Sequence, residues 1–401
     1  MNLASARAAE DAARASYGKL IAILAARSGD IAAAEDALAD AFVQALRVWP
    51  EKGIPDRPEA WLLTVAKNRR TDAMRRSARI TLTDEVPDMP DTIVDPDAIP
   101  DKRLELMFVC AHPAIDAALR TPLMLQSVLG ADAVQIARVF LVPHAAMAQR
   151  LVRVKRKIKA ARIPFVLPDE VDLSPRLDAV LQAIYAAFAI DWQDGAGDLS
   201  HEAHFLANLL ADQMPDSAEA QGLAALIGFV EARRAAGVQD GIYVPLQDQN
   251  TDLWNHPLID RAAHRLTRAS ALGKIGRFQL EAAIQSVHAQ RHLTGETNWR
   301  ALSQLYTGLL HLHPSIGAAV GRAAATAQDV GAIEGLRLLD LIDPADAKDF
   351  QPYWATRAHL LVDTSPQQAA EAYSRAIDLS TFEPATAWLV ARRKALRSQL
   401  S

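Results

Sequence analysis

Residues 134–158 read VQIARVFLVPHAAMAQRLVRVKRKI, and their periodicity decides the fold class. Met147, Leu151, Val154 and Ile158 recur at intervals of four, three and four, one apolar stripe along an α-helix. Gln149, Arg150, Arg153, Arg156 and Lys157 fall off that stripe and must face away from the core. A shorter helix precedes it, with Val134, Ala137 and Val139 as its apolar positions. Leu141, Val142 and Pro143 supply the turn, and the fixed φ of Pro143 suits the start of the second helix. Two helices joined this closely, the second one basic, form a helix-turn-helix, whose second helix lies in a DNA major groove. Arg and Gln can then bond base edges while Lys and Arg hold phosphates. The bland alternative is a solvated amphipathic face.

The rest of the chain sharpens that choice. Residues 147–162 carry seven Arg or Lys and no acid, although the 401-residue chain has a formal net charge of -5. The charge is segregated. Residues 1–80 are net +3, 81–101 net -7, 102–165 net +8 and 166–401 net -9. Half of the residues are hydrophobic, Ala and Leu are abundant and β-branched runs are scarce, so the expectation is an all-α protein of two to four domains. A single cysteine, Cys110, excludes an intrachain disulfide and a multi-cysteine zinc site. There is no apolar run near 18 residues, and the N-terminus lacks the apolar core of a signal peptide. The expected location is therefore cytoplasmic, with no membrane partner.

Residues 1–80 hold a second basic module. In GDIAAAEDALADAFVQALRVWP (29–50), Ile31, Ala34, Leu38, Phe42 and Leu46 read as core, while Glu35, Asp36 and Asp40 face out and suit a basic protein partner. In RPEAWLLTVAKNRRTDAMRRSAR (57–79), Trp61, Leu62, Val65, Ala66, Ala73 and Met74 share one face. Lys67, Arg69, Arg70, Arg75, Arg76 and Arg79 cluster elsewhere. Trp61 reads either as core or as a stacking surface for unpaired bases. Between the modules, residues 81–101 combine seven acids with four prolines and no base, the composition of an extended linker.

The order AEDALADAF, AWLLTVAKNRRTDAMRR, acidic linker, IARVFLVP and MAQRLVRVKRKI resembles a bacterial sigma factor of the extracytoplasmic-function (ECF) type. Residues 1–80 resemble sigma region 2 and residues 102–165 resemble region 4. With its long helical tail, the chain resembles the ECF subgroup that carries a C-terminal tetratricopeptide-like extension. It departs from that subgroup at His144 and Ala146, where Glu and Thr are usual, and at Ala111, where a second cysteine follows Cys110. The resemblance implies that Glu35, Asp36 and Asp40 dock on the clamp helices of core RNA polymerase. It implies that residues 49–58 capture a flipped base of the −10 element. Trp61, Lys67, Asn68, Arg69, Asp72, Arg75 and Arg76 would serve −10 recognition. Ala148, Gln149, Val152 and Arg153 would face −35 bases, and Arg150, Lys155 and Arg156 would hold backbone.

Residues 166–401 are helical by pattern. AIEGLRLLDLID (332–343) aligns with AAEAYSRAIDLS (369–380) at an offset of 37, placing Ala332, Glu334, Leu336 and Leu339 on Ala369, Glu371, Tyr373 and Ala376. Stacked helical repeats present a surface to another chain, so the tail reads as a regulatory or partner-binding domain for an unidentified protein or peptide. His201 with His204 and His311 with His313 are spaced for metal, but no third ligand follows either pair. No phosphate loop or nucleophile elbow is present. The resulting expectation is a sigma factor that is not an enzyme and needs no cofactor, metal or catalytic residue. The alternatives are a helix-turn-helix regulator acting without polymerase, and a repeat scaffold whose basic helices bind acidic proteins or RNA.

Overall fold

The computed structural model describes residues 3–77, 100–168, 170–194 and 198–400. Within them the chain is helical apart from one two-stranded hairpin, so the all-α expectation holds. It divides into two compact units, Met1–Trp192 with Ala196–Leu206, and Gln193–Gly195 with Ala207–Ser401. The boundary expected at residue 166 therefore falls inside the first unit. Both basic modules belong to that unit.

The first module is built from α1 (Leu3–Ser28), α2 (Ile31–Lys52) and α3 (Pro58–Ser77). Leu20 to Ala25 of α1 and Ala60 to Ala66 of α3 are buried on every side, as befits helices covered by two neighbours. Asp30 caps α2, its Oδ1 accepting from the Ala33 N–H at 3.1 Å. Ile31, Ala34 and Leu38 are core as expected, but Phe42 is half-buried and Leu46 exposed. Each step of four residues turns 40° past a full circle, so a stripe read in fours walks off the buried face. Ala41, Ala45, Val48 and Trp49 continue it instead.

The second module comprises α4 (Arg103–Cys110), α5 (Ala117–Ser127), α6 (Ala133–Val139) and α7 (His144–Ala161). A capping box starts α6. Asp132 Oδ1 accepts from Val134 N at 2.8 Å and Gln135 N at 2.7 Å, while Gln135 Oε1 accepts from Asp132 N. Seven residues give α6 one inward turn, and Ile136 with Ala137 occupy it. Val134 and Val139, expected inside, are 53% and 43% exposed. The helix ends in a Schellman pair, Val142 N donating to Ala137 O at 3.0 Å and Leu141 N to Arg138 O at 3.3 Å. That geometry forces Leu141 to a φ of 51°, with its side chain 93% exposed. The stripe of α7 is as read, with Met147, Leu151, Val154 and Ile158 all buried.

Two further helices, α8 (Glu170–Asp194) and α9 (Asp198–Gln213), follow, and the division between units falls within α9. The start of α9 completes a polar hub in the first unit. Arg103, 7% exposed, bonds Asp101 Oδ2 at 2.6 Å and Glu202, and lies 4.3 Å from the Phe205 ring centroid.

The second unit runs through α10 (Ala218–Glu231), a hairpin of β1 (Val238–Gln239) and β2 (Ile242–Tyr243), α11 (His256–Ala271), α12 (Arg277–Ala289) and α13 (Arg291–Thr294). It continues with α14 (Trp299–Leu312), α15 (Ile316–Val330), α16 (Ala332–Leu339), α17 (Pro344–Ala347), α18 (Gln351–Leu361), α19 (Pro366–Asp378) and α20 (Glu383–Leu400). Small cores follow one another along the chain, and the last two share Leu336 and Trp354 at their edge. One centres on Ile284, Leu302 and Leu309, the next on Ala323, Leu339 and Tyr353, the last on Ala369, Tyr373 and Leu389. The offset of 37 is visible in burial, since Gly335 and Leu339 of α16 correspond to Ala372 and Ala376 of α19. Glycine at 276 has a packing cause. It leaves α12 without a side-chain cap, and the Glu219 carboxylate fills that place, accepting from Phe278 N and Gln279 N at 3.0 and 3.1 Å. A Cβ on Gly276 would lie 2.3 Å from that carboxyl carbon.

Inside this unit Arg233 is 7% exposed, donates from Nη2 to Gln285, and finds no partner for Nη1 among the described residues. Arg291 approaches the same Trp254 ring, with guanidinium carbons at 5.2 Å for Arg291 and 5.9 Å for Arg233. Burial, then the Arg233 and Arg291 charges, pull the His288 pKa down from 6.5 to about 4.

Two measurements follow. Leu141→Gly removes a left-handed residue and no buried contact, so urea unfolding of the first unit should shift to higher stability by about 1 kcal/mol. For His288, the folded pKa lies below the unfolded one. Its preference for the neutral state therefore stabilises fully above pH ~6.5 and is lost toward pH 4, by up to about 3 kcal/mol. His288→Phe keeps a ring beside Trp299, 5.9 Å away, and should flatten the fall in stability of the second unit over that window. An unchanged slope would remove His288 as its source.

Candidate nucleic-acid interface

The stripe that buries α7 leaves its other face outward. Gln149, Arg150, Val152, Arg153, Arg156 and Lys157 are exposed and Ala148 is half-buried. Six of the seven residues expected to meet −35 DNA are thus reachable from solvent. Lys155 is different. It is 5% exposed and turned toward α2. Its Nζ donates to both carboxylate oxygens of Glu35 at 2.6 Å and to Gln126 Oε1 at 2.7 Å, using all three ammonium hydrogens. In this arrangement Lys155 holds no phosphate.

Glu35 is correspondingly occupied, accepting also from the Ser127 hydroxyl at 3.3 Å. Asp36 and Asp40, the other expected polymerase-docking acids, are exposed. Buried groups surround the pair. The Tyr17 hydroxyl and the Cys110 thiol both have raised pKa values, chiefly through burial, and the Glu35 charge adds to both shifts. One turn along α7, Lys159 Nζ lies 2.7 Å from Asp30 Oδ2.

On α3 the residues expected at the −10 element separate. Trp61 is fully buried, its ring 5.5 Å from that of Trp49 in an edge-on pair, so it is core and not a stacking surface. The cause is its position in the first turn of α3, where every residue from Ala60 to Ala66 is enclosed. Asn68 is exposed, and Lys67 and Arg69 are half-buried. The side chains of Asp72, Arg75 and Arg76, and residues 78–99 with most of the acidic linker, lie outside the described residues. The loop between α2 and α3 is open to solvent, with Ile54 41% exposed. Gln126 and Ser127 escaped the sequence reading, because a polar pair at the end of an apolar helix carries no signal of a partner 29 or 92 residues away.

The chain is 35% identical over 374 residues to an uncharacterized protein of Rhizobium meliloti (strain 1021), covering 89% of this chain and 88% of that one. The two proteins belong to one family. Residues 13–80 match Sigma-70 region 2, which takes in most of α1 and all of α2 and α3. This family member thus carries a sigma-70 region 2 at its N-terminus, the kind of domain that meets core RNA polymerase and promoter DNA. Residues 176–270 match a family of unknown function, DUF6596, which spans α8 to α11. No solved structure matches the chain. Among the described residues no group of three or more His, Cys, Asp or Glu is placed to hold a metal, and no helix is long and apolar enough to cross a membrane.

The outward face of α7 gives a direct test. Arg153→Ala should weaken binding to a preferred duplex by about 1–3 kcal/mol and relax discrimination at one base pair. Lys157→Ala should weaken binding to all duplexes alike and lower the salt slope by about one ion. Equal slopes for wild type and Lys157→Ala would remove that phosphate contact.

Proposed function

We propose that this protein is an RNA polymerase sigma factor of the ECF type, directing initiation at promoters with −10 and −35 elements. The observation that carries the reading is the order of parts. A sigma-70 region 2 at residues 13–80 is followed by α4, α5 and α6, a tight turn and the exposed basic face of α7. A repressor acting alone needs the second of these and not the first. In this reading Asp36 and Asp40 meet the polymerase clamp, residues 49–58 and the far end of α3 meet the −10 element, and α7 enters the major groove at −35. The second unit is a tetratricopeptide-like extension that binds a protein or peptide partner and adjusts the activity of the first. Successive small cores and the offset of 37 between α16 and α19 support that assignment.

Run-off transcription with purified core polymerase tests the function. Promoter-dependent transcripts are expected, and the Asp36→Lys, Asp40→Lys double variant should lose core binding through like-charge repulsion while keeping its helix content. Duplex binding without any transcript would favour the polymerase-independent regulator. The role of the tail needs a cut placed by the structure. A chain ended at residue 165 strips Arg103 of Glu202 and Phe205, and should lose about 3 kcal/mol or more of first-unit stability. A chain ended after Leu206 keeps both partners. Its promoter activity, raised or lowered against full length, gives the sign of control, and identical activity would remove the regulatory role.

A further inference from the structure

Three basic side chains of the second unit converge, and the carboxylates nearby are engaged elsewhere. Arg233 follows α10, His288 lies near the end of α12, and Arg291 opens α13. Both guanidiniums approach the buried Trp254 ring. Arg291 has a local task, donating to the carbonyls of Leu246, Gln247 and Gln249. Arg233 has less to hold. Its Nη2 donates to Gln285 Oε1, and its Nη1 is enclosed with no partner among the described residues. Glu231 pairs with Arg234 and Glu281 with Arg277. The exposed Asp248 acts on Arg291 only through its charge. Burial first, and then the Arg291 charge, depress the Arg233 pKa to about 10, which still leaves it cationic at neutral pH. His288 feels both guanidiniums and is held neutral.

A guanidinium taken out of water is costly unless an anion or a full set of acceptors meets it. The fold gives Arg233 one neutral acceptor, Gln285. Its other electrostatic neighbours are the phenols of Tyr243 and Tyr306, whose pKa values burial raises, so both stay protonated and able to donate. Tyr306 is seated by a bare backbone, its ring 2.5 Å from where a Cβ on Gly321 would stand. Donors thus outnumber acceptors around an enclosed positive charge. We infer that this cluster is a binding site for a small oxyanion, a phosphate or carboxylate group, held by Arg233 inside and by the half-buried Arg291 nearer the surface. The enclosure of Nη1 limits the ligand to a few atoms at that point. Charge-assisted bonds from arginine suit such a group, which accepts on several oxygens at once. Arg233 and Trp254 fall within the DUF6596 match, whereas Gln285 and Arg291 lie beyond it. The site does not depend on the sigma-factor reading.

Calorimetric titration of the full-length chain with inorganic phosphate and with malonate, at constant ionic strength, tests the site. One saturable event is expected, and the tighter of the two anions tells a phosphate group from a carboxylate. Arg233→Met keeps an unbranched chain and removes the charge. It should weaken binding at least about tenfold, the loss of one hydrogen bond to a charged group. In chloride alone the same variant should unfold no earlier than wild type, because an ion without a counter-ion has given way to an apolar chain. Gln285→Glu works the other way, placing a carboxylate against Arg233 from within the chain. It should raise the unfolding midpoint in chloride and weaken both anions at least about tenfold, by occupying the charge they need. Should Arg233→Met fail to fold, Gln285→Glu decides alone. Arg300→Met removes an equal charge from the exposed surface of α14 and should leave affinity unchanged. No saturation in the wild type with either anion overturns the site. So does wild-type affinity in Gln285→Glu or in a folded Arg233→Met, and so does an equal loss in Arg300→Met.

Discussion

The ammonium of Lys155 is the point on which the first unit depends. Three donors meet three acceptors at 2.6 to 2.7 Å, two on α2 of the first module and one on α5 of the second. Removing two charges from water costs several kcal/mol each, and good geometry offsets most of that. The net stability from such a pair is small, whereas leaving one partner alone costs about 3–5 kcal/mol. The pair therefore contributes little to holding the fold and much to fixing which surfaces meet. It works beside an apolar contact, since α1 also packs on α4, whose Leu104 and Leu106 to Cys110 are buried.

The second unit solves a different problem. Its helices enclose several small cores, each shared by neighbours in sequence, which is how a chain grows in one direction without a single large interior. Local chemistry closes the gaps. Glu219 reaches from α10 to cap α12, and Arg291 donates to the carbonyls of Leu246, Gln247 and Gln249. The cost appears at Arg233, enclosed with one guanidinium nitrogen unpaired among the described residues and a second guanidinium at the same tryptophan.

Legibility followed the range of the interaction. The stripe of α7 could be read at once, because a helix period repeats every few residues and Met147, Leu151, Val154 and Ile158 obey it. The short helix α6 could not, since seven residues hold too few turns to tell Ile136 from its neighbours. Trp61 was ambiguous because an aromatic beside basic residues has the same local pattern whether it stacks on bases or on Trp49. The turn at Leu141 was found by its proline, but its positive φ was not, as leucine is a poor marker for that conformation. Lys155 was unreadable in principle. Its partner stands 120 residues earlier, and a lysine among six other cations in residues 147–162 gives no sign that it alone turns inward.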